Sequence, residues 1–429
     1  MISFGAYSRL VRTNENFRRL WLAQIVSEIG DWFYALAIYS LILELTGRAE
    51  LVALAVVLQV LPTTFISPTA GVINDRISRK KVMIAADLAR IVIVLGMLAV
   101  RSREMVWLVY PLLLLETISW GFFEPGRSAV IPNITPEEQI LAANALSSAT
   151  WSFNLAIGST LGGLIAALLG RDAVFLLNAL SFLASALLIR RMKFEEPHAA
   201  GRPPLHARDF VDFSPVVEGV RYVARDSRLL ATMLVKGGLG FLGSNLVILP
   251  ILGERVFPMR LGDLDAARAG MLGMSLLMGA RGVGALVGPF ASSAWARNRD
   301  PYLRRGILLS FLTAGVGYML LSRAPSMAWA VATVVLTHAG GSTIWVFSTT
   351  LLQRQTEDQF RGRVFSAELG LNMLSISVAS YVAGRLIDAG IAVRTAALIT
   401  GCSLLVPAIA WGWAQRLWRQ ERTCEATVT

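Results

Sequence analysis

The sequence predicts an all-α membrane protein in which twelve transmembrane helices form two pseudo-symmetric six-helix bundles. Three observations carry this expectation. The 429 residues are 55% hydrophobic and only 16% charged, with a mean hydropathy of +0.57, whereas an ordinary soluble domain carries roughly 25% charged residues. Apolar segments of about 20 residues, enough to cross a bilayer, recur along the whole chain. Lys and Arg gather in alternate loops between them. A chain of this kind turns its apolar side chains to lipid. That excludes a soluble enzyme and a nucleic-acid binder, and gives the net charge of +11 a membrane meaning. Two cysteines, Cys402 and Cys424, are too few for a disulfide framework.

The spans are expected over residues 18–44, 50–74, 80–100, 105–125, 139–169, 172–190, 229–252, 269–294, 303–322, 327–351, 363–387 and 394–416. Arg9, Arg12, Arg18 and Arg19 lead into a first span too long for the core of a cleavable signal peptide. With both termini on one side, that side holds about two-thirds of the basic residues, which makes it cytoplasmic. The chain reads as a multi-pass protein of the bacterial cytoplasmic membrane.

The heaviest basic cluster lies between spans 6 and 7, from Arg190 to Arg228, and also holds Pro197, Pro203, Pro204 and Pro215. This long polar interval divides the chain into an N-terminal bundle (1–193), a cytoplasmic linker (194–227) and a C-terminal bundle with a short tail (228–429). Within it, residues 215–226 read either as an amphipathic helix on the membrane surface or as a solvated linker helix. An offset of 221 residues aligns Thr135 with Thr356, Ser159 with Ser380 and Gly163 with Gly384. A weak repeat at corresponding places in both halves is expected of a transporter built from parallel six-helix repeats.

Between spans 2 and 3 runs Gly71-Val-Ile-Asn-Asp75-Arg76-Ile-Ser-Arg79-Lys80-Lys81. A glycine that permits close helix approach and an acid among fixed cations can latch one conformation and release in another; simple topogenic charge is the alternative. In span 5, Gly158, Gly162 and Gly163 allow tight helix contact. Gly238-Leu-Gly-Phe-Leu-Gly243 matches a dinucleotide fingerprint but lies inside span 7 with no strand before it, so it reads as helix packing. No phosphate-binding loop is present, and His198, His206 and His338 show no metal spacing. No cofactor, metal or nucleic acid is implied.

The spacing of Gly71, Asp75, Arg76, Arg79 and Lys80 resembles the loop signature of the major facilitator superfamily, with Ser78 where a glycine is usual. The run 158–163 resembles that superfamily's antiporter motif, with Ser159 in place of proline. Gly30-Asp31, Glu124-Pro125-Gly126-Arg127 and Arg361-Gly362-Arg363-Val364-Phe365 narrow the likeness to the branch holding macrolide-efflux proteins and the enterobactin exporter. The resemblance implies the major facilitator fold, action as a monomer and outward transport driven by proton exchange. The arginine that many proton antiporters carry in span 4 has no counterpart among Glu116, Thr117 and Trp120.

Ionisable groups within spans are costly and mark function. Gln24, Glu28 and Asp31 share one face of span 1, and Asp31 lies roughly 18 Å into the membrane at 1.5 Å per residue. Glu116 is central in span 4. The C-terminal half supplies Lys236, Arg281 and His338. The acids thus fall in one half and the bases in the other. Three roles are open: a proton or substrate site, an Asp31 or Glu28 pair with Arg281 or Lys236 that breaks as the halves rock, and a static buried pair. Trp32, Trp120, Trp151 and Trp345 lie deep in their spans, as does Asn154, and either line a cavity for a bulky amphiphile or pack helices.

The expectation is a proton-coupled exporter of a hydrophobic or amphiphilic small molecule, drug-like or siderophore-like, working by alternating access. A lipid or lysolipid flippase is the second reading, and a transport-inactive receptor or scaffold the third. No nucleophile–base constellation points to an enzyme.

Overall fold

The computed structural model describes residues 4–196, 214–259, 265–296, 299–357 and 360–428. These form helices and no strand, and twelve of the helical segments are long and apolar enough to cross a membrane. Much of the expected linker, with His198 and His206, lies outside the described residues.

The mid-span charged residues of helix α4 (Arg79–Gly96), Asp87 and Arg90, lie on its inner face. There Met83, Ala86, Asp87, Arg90, Ile93 and Val94 are buried, while Leu88, Val92 and Leu95 face outward. Val92 is 71% exposed and Ile409, in the last span, 72%. Such surfaces are stable only against lipid tails, because the bilayer supplies the apolar contact that water cannot.

The first half runs α1 (Phe4–Thr13), α2 (Glu15–Thr46), α3 (Ala49–Arg76), α4, α5 (Val109–Ile134), α6 (Glu137–Leu169) and α7 (Arg171–Arg190). Asn14 caps α2, its side chain accepting from Phe17 N at 2.9 Å. Gly47, at φ +66°, ends α2 in the left-handed conformation that leaves only a tight turn before α3. Helix α2 packs against α6 and α7, α3 against α5, and α4 against α5 and α7. Glycines set the closest approaches. A Cβ on Gly158 would stand 2.9 Å from Trp32 Cβ, and one on Gly162 2.7 Å from Phe33 Cα. In this half the span-5 glycines therefore bring α6 onto α2.

The second half holds α8 (Ser214–Val223), α9 (Ser227–Leu239), α10 (Asn245–Ile251), α11 (Ala266–Ala296), α12 (Asp300–Ser322), α13 (Met327–Gln355), α14 (Arg361–Asp388), α15 (Val393–Ser403) and α16 (Leu405–Val428). Span 7 is not one regular helix. It tightens to 3₁₀ over Gly240–Ser244 and loosens to a π turn over Leu252–Val256. Gly238, Gly240 and Gly243 abut Pro407, Ser375 and Ile376, so the motif that imitates a dinucleotide fingerprint is a packing surface. Span 12 breaks between α15 and α16 because Pro407 has no N–H to offer the carbonyl of Ser403.

By contacts the chain forms two compact units, Met1–Asp212 with Gly253–Gly279, and Phe213–Leu252 with Ala280–Thr429. Residues 253–279, the end of span 7 and the start of span 8, thus belong with the first unit. There Arg255 Nη2 donates to Gly47 O at 2.7 Å, and Gly163 abuts Ser275.

Candidate functional site

Near the middle of their spans in the first unit, α2, α4 and α5 bring Asp31, Arg90 and Glu116 together. Arg90 is 1% exposed. Its Nη2 lies 2.7 Å from both carboxylate oxygens of Asp31, and its Nε donates to Glu116 Oε1 at 3.0 Å. The guanidinium rests on the Phe182 ring at 3.9 Å. Asp87, one turn before Arg90 and wholly buried, has Oδ1 at 3.8 Å from Nη1. Three carboxyl groups thus share one arginine. A buried charge without compensation is expensive, so a cluster with three carboxyl groups on one guanidinium can accept further positive charge, a proton or a cationic group.

A second group of polar contacts lies toward the start of α2. Gln24 donates to Glu28 Oε1 at 2.9 Å and to Ser147 O at 3.0 Å, and Asn154 donates to Glu28 Oε2 at 2.9 Å. Arg127 donates to Gln24 Oε1 at 3.1 Å and pairs with Glu124 within its own helix. Gln24, Glu28, Asp31, Arg90, Glu124 and Arg127 line one cleft, with Trp120 beside them. Trp32 and Trp151 meet edge to face at 5.9 Å, with Trp151 44% exposed.

The second unit has its own ion pair. Lys236 on α9 lies 3.2 Å from Glu368 on α14, both side chains being 3% exposed. Lys236 Nζ donates to Thr349 Oγ1 at 3.0 Å and sits 3.7 Å above the Trp345 ring, while Asn372 donates to the Lys236 carbonyl at 2.7 Å. Arg281 is half-buried on α11. Gly284, one turn on, packs against His338, which is buried on α13.

The loop after span 2 is tied down by backbone carbonyls. Arg79 donates to Asn74 O and Ala129 O at 3.1 and 2.8 Å, and Lys80 Nζ to Met192 O at 2.6 Å. Ser78 Oγ donates to Glu196 at 2.5 Å. Gly71 has open space around it. Arg76 closes α3, and the side chain of Asp75 lies outside the described residues.

Two readings of the sequence need correction. Acids and bases are not segregated by half: Arg90 neutralises Asp31 in the first unit, and Glu368 neutralises Lys236 in the second. The signals were an Asp87/Arg90 pair three residues apart in an apolar span, and a lone Glu368 in span 11. Nor does span 4 lack an arginine. Helix α5 continues to Ile134, which places Arg127 inside it and 8% exposed.

The family model described as "Transmembrane secretion effector" matches residues 6–426. Macrolide efflux protein A of Streptococcus pyogenes is 25% identical, the match covering 84% of this chain and 87% of that protein. An uncharacterized MFS-type transporter of Bacillus subtilis, YfiS, is 23% identical over 92% of each chain. BacE of Bacillus amyloliquefaciens, provisionally named a bacilysin exporter, is 27% identical over 88% of this chain and 90% of its own. Among solved structures, the nucleoside transporter NupG superposes with a TM-score of 0.72 at 10% identity, covering 93% of this chain and 98% of that one. A POT family transporter in complex with 5-aminolevulinic acid gives 0.71 at 13%, covering 92% and 94%. At these identities the structural likeness establishes the fold alone.

Proposed function

This chain belongs to the transmembrane secretion effector family of major facilitator transporters, and we propose that it exports a hydrophobic or amphiphilic small molecule, drug-like or siderophore-like, by alternating access in exchange for protons. It is a multi-pass membrane transporter and not an enzyme. In this reading the basic side, with both termini, faces the cytoplasm, and one chain acts alone as a monomer.

The observation that carries the proposal is the mid-span cluster of three carboxyl groups around Arg90. Asp31 is its exchangeable member, since its side chain is 27% exposed while those of Glu116 and Asp87 are 11% and 0% exposed. A proton arriving on Asp31 cancels its charge and loosens its hold on Arg90, which Glu116 and Asp87 still neutralise. Loss of one pair shifts the balance between conformations by the energy that pair contributed to one of them. Glu28, held by Gln24 and Asn154, is the adjoining relay or ligand group. Trp120 and the Trp32–Trp151 pair offer aromatic surface to a bulky substrate. The Lys236–Glu368 pair, with Trp345, Arg281 and His338, is the second unit's contribution to binding or gating. The loop at Gly71, Asp75, Arg76, Arg79 and Lys80 latches the cytoplasmic side. The efflux named for the relatives supports the outward direction.

The test is uptake of a panel of fluorescent amphiphiles into inside-out vesicles, with and without a proton gradient, for wild type and Asp31→Asn. Gradient-dependent uptake that the substitution abolishes is expected. Uptake indifferent to the gradient overturns proton coupling, and movement of labelled lipid between leaflets without amphiphile uptake points to a flippase.

A further inference from the structure

Each half begins with a short helix that is not a span. Helix α1 ends two residues before α2 begins, and α8 ends four residues before α9. Both dock at the N-terminal end of the fifth span of their own half. From α1, Leu10 is 1% exposed and packs with Tyr7 and Val11 against Ile134, Ala142 and Ala143. From α8, Val223 packs with Val364 and Ala367. Tyr222 stacks on Phe360 at 4.2 Å, and Glu218 pairs with Arg363 at 2.9 Å. The two helices are unlike in sequence but are seated in the same way.

Docking one face fixes what the other face presents. On α1 the exposed positions include Arg9 and Arg12. On α8, at 100° per residue, the exposed residues form one continuous arc in the order Val220, Ala224, Val217, Arg221, Arg225, Glu218, the last with its charge taken up by Arg363. The bond from Ala224 N to Val220 O carries the helical turn to its end. The arc is apolar on one side, with Val217 and Val220 each 45% exposed, and basic on the other. Among the described residues, none of the side chains of Arg9, Arg12, Arg221 and Arg225 forms an ion pair or a hydrogen bond. Other surface arginines are of both kinds. Arg363 pairs with Glu218, Arg354 with Asp300 and Arg101 with Asp172, whereas Arg103, Arg305 and Arg323 are exposed and, among the described residues, likewise form no side-chain ion pair or hydrogen bond. What distinguishes the four is their place on two short docked helices.

We propose that α1 and α8 are paired interfacial helices that bind anionic phospholipid headgroups, using Arg9 and Arg12 in one half and Arg221 and Arg225 in the other. The connections of a few residues to α2 and α9 hold both helices at the membrane boundary. Four free guanidinium groups there meet lipid phosphate, for which the arginine fork is well shaped. The exposed valines of α8 have the acyl boundary to enter, as an amphipathic helix lying in the interface requires. A soluble acidic protein would satisfy the arginines but would leave a reason for Val217 and Val220 to be supplied separately. Because each helix rides on the fifth span of its half, headgroup binding ties each bundle to the surrounding lipid. The inference holds whatever molecule is exported.

The test is a titration of phosphatidylglycerol into the full chain in neutral detergent, with phosphatidylcholine for comparison, read by native mass spectrometry. Wild type is set against Arg9→Gln/Arg12→Gln/Arg221→Gln/Arg225→Gln. Wild type should prefer the anionic lipid, and each arginine removed should weaken its binding about fivefold. The matching four-lysine variant keeps the charge and should keep the preference, which separates lost charge from lost fold. In nanodiscs, amides of residues 7–13 and 217–225 should exchange hydrogen more slowly when phosphatidylglycerol is present. Equal lipid binding by wild type and the glutamine variant overturns the proposal. So does equal exchange in neutral and anionic discs, or protection that appears only on adding a soluble acidic polypeptide.

Discussion

Asp31 presents both carboxylate oxygens to a single nitrogen of Arg90, each at 2.7 Å, at the midpoint of the first bundle. The same guanidinium holds Glu116 through Nε. Asp31 is therefore one of several counter-charges, and its removal leaves the arginine neutralised. Asp31→Asn keeps the shape and one acceptor oxygen. The variant should insert and melt like wild type, while gradient-driven uptake falls to background in the vesicle assay. Retained gradient-driven transport would exclude Asp31 from the coupling path.

Arg90 has no such substitute. Arg90→Leu strips the shared cation from Asp31, Asp87 and Glu116, and breaking a buried pair from one side costs about 3–5 kcal/mol. Loss of folded protein, or a large fall in the unfolding temperature in detergent, is the expected outcome. Arg90→Lys keeps the charge but not the planar fork that serves two carboxylates at once. It should fold better than Arg90→Leu and transport worse than wild type, as thermal unfolding and vesicle uptake together will tell.

The direction of the pH effect follows from the same contact. Protonation of Asp31 removes an attraction to Arg90, so acidity on one face favours the conformation in which that contact is open. With the interior of inside-out vesicles acidified, wild-type uptake should rise, and with the gradient reversed it should fall. Asp31→Asn should respond to neither change. A wild type whose uptake follows membrane voltage and ignores the pH difference would contradict this.

How much of this was legible in the sequence depended on distance along the chain. Each span announces itself locally, because about 20 neighbouring residues must all be apolar. Asp31, Glu28 and Glu116 stand out as charges in such runs. Their partners do not, since Arg90 is 59 residues from Asp31 and only folding makes them neighbours. Arg127 was hidden differently. Pro125 reads as the end of a helix, yet α5 carries both Pro125 and Pro132 inside it. The neighbours of glycine are equally tertiary: nothing in the run Gly238–Gly243 names Pro407 or Ile376 as what it meets.

The pair in the second unit predicts a non-additive result. Glu368→Gln leaves Lys236 buried with Thr349 and the Trp345 ring as its remaining contacts, at a cost of about 3–5 kcal/mol. Lys236→Met alone strands Glu368 in the same way. The double variant Lys236→Met/Glu368→Leu removes both charges and should recover most of the stability lost in either single one, because replacing a buried pair by apolar groups is often close to neutral. Thermal unfolding of the four proteins in one detergent gives the cycle. If the double variant also transports at the wild-type rate, the pair is structural and not a gate.

Two glycines of the recognised motifs should behave oppositely. Gly162 lies in α6 where it crosses α2, and an added Cβ would stand 2.7 Å from Phe33 Cα, a backbone atom that cannot turn aside. Gly162→Ala should force the helices apart and cost about 1–3 kcal/mol. Gly71 is in α3 with nothing within 4 Å of such a Cβ. There alanine meets no neighbour and gains the helix preference of about 1 kcal/mol over glycine. Gly71→Ala should therefore unfold at the same temperature as wild type or slightly above it. Because the two substitutions are chemically identical, the comparison isolates the neighbour from the residue. If Gly71→Ala proves as damaging to transport as Gly162→Ala is to stability, then another conformation brings a helix against Gly71. That would be the expected behaviour of a latch that closes and opens during the cycle.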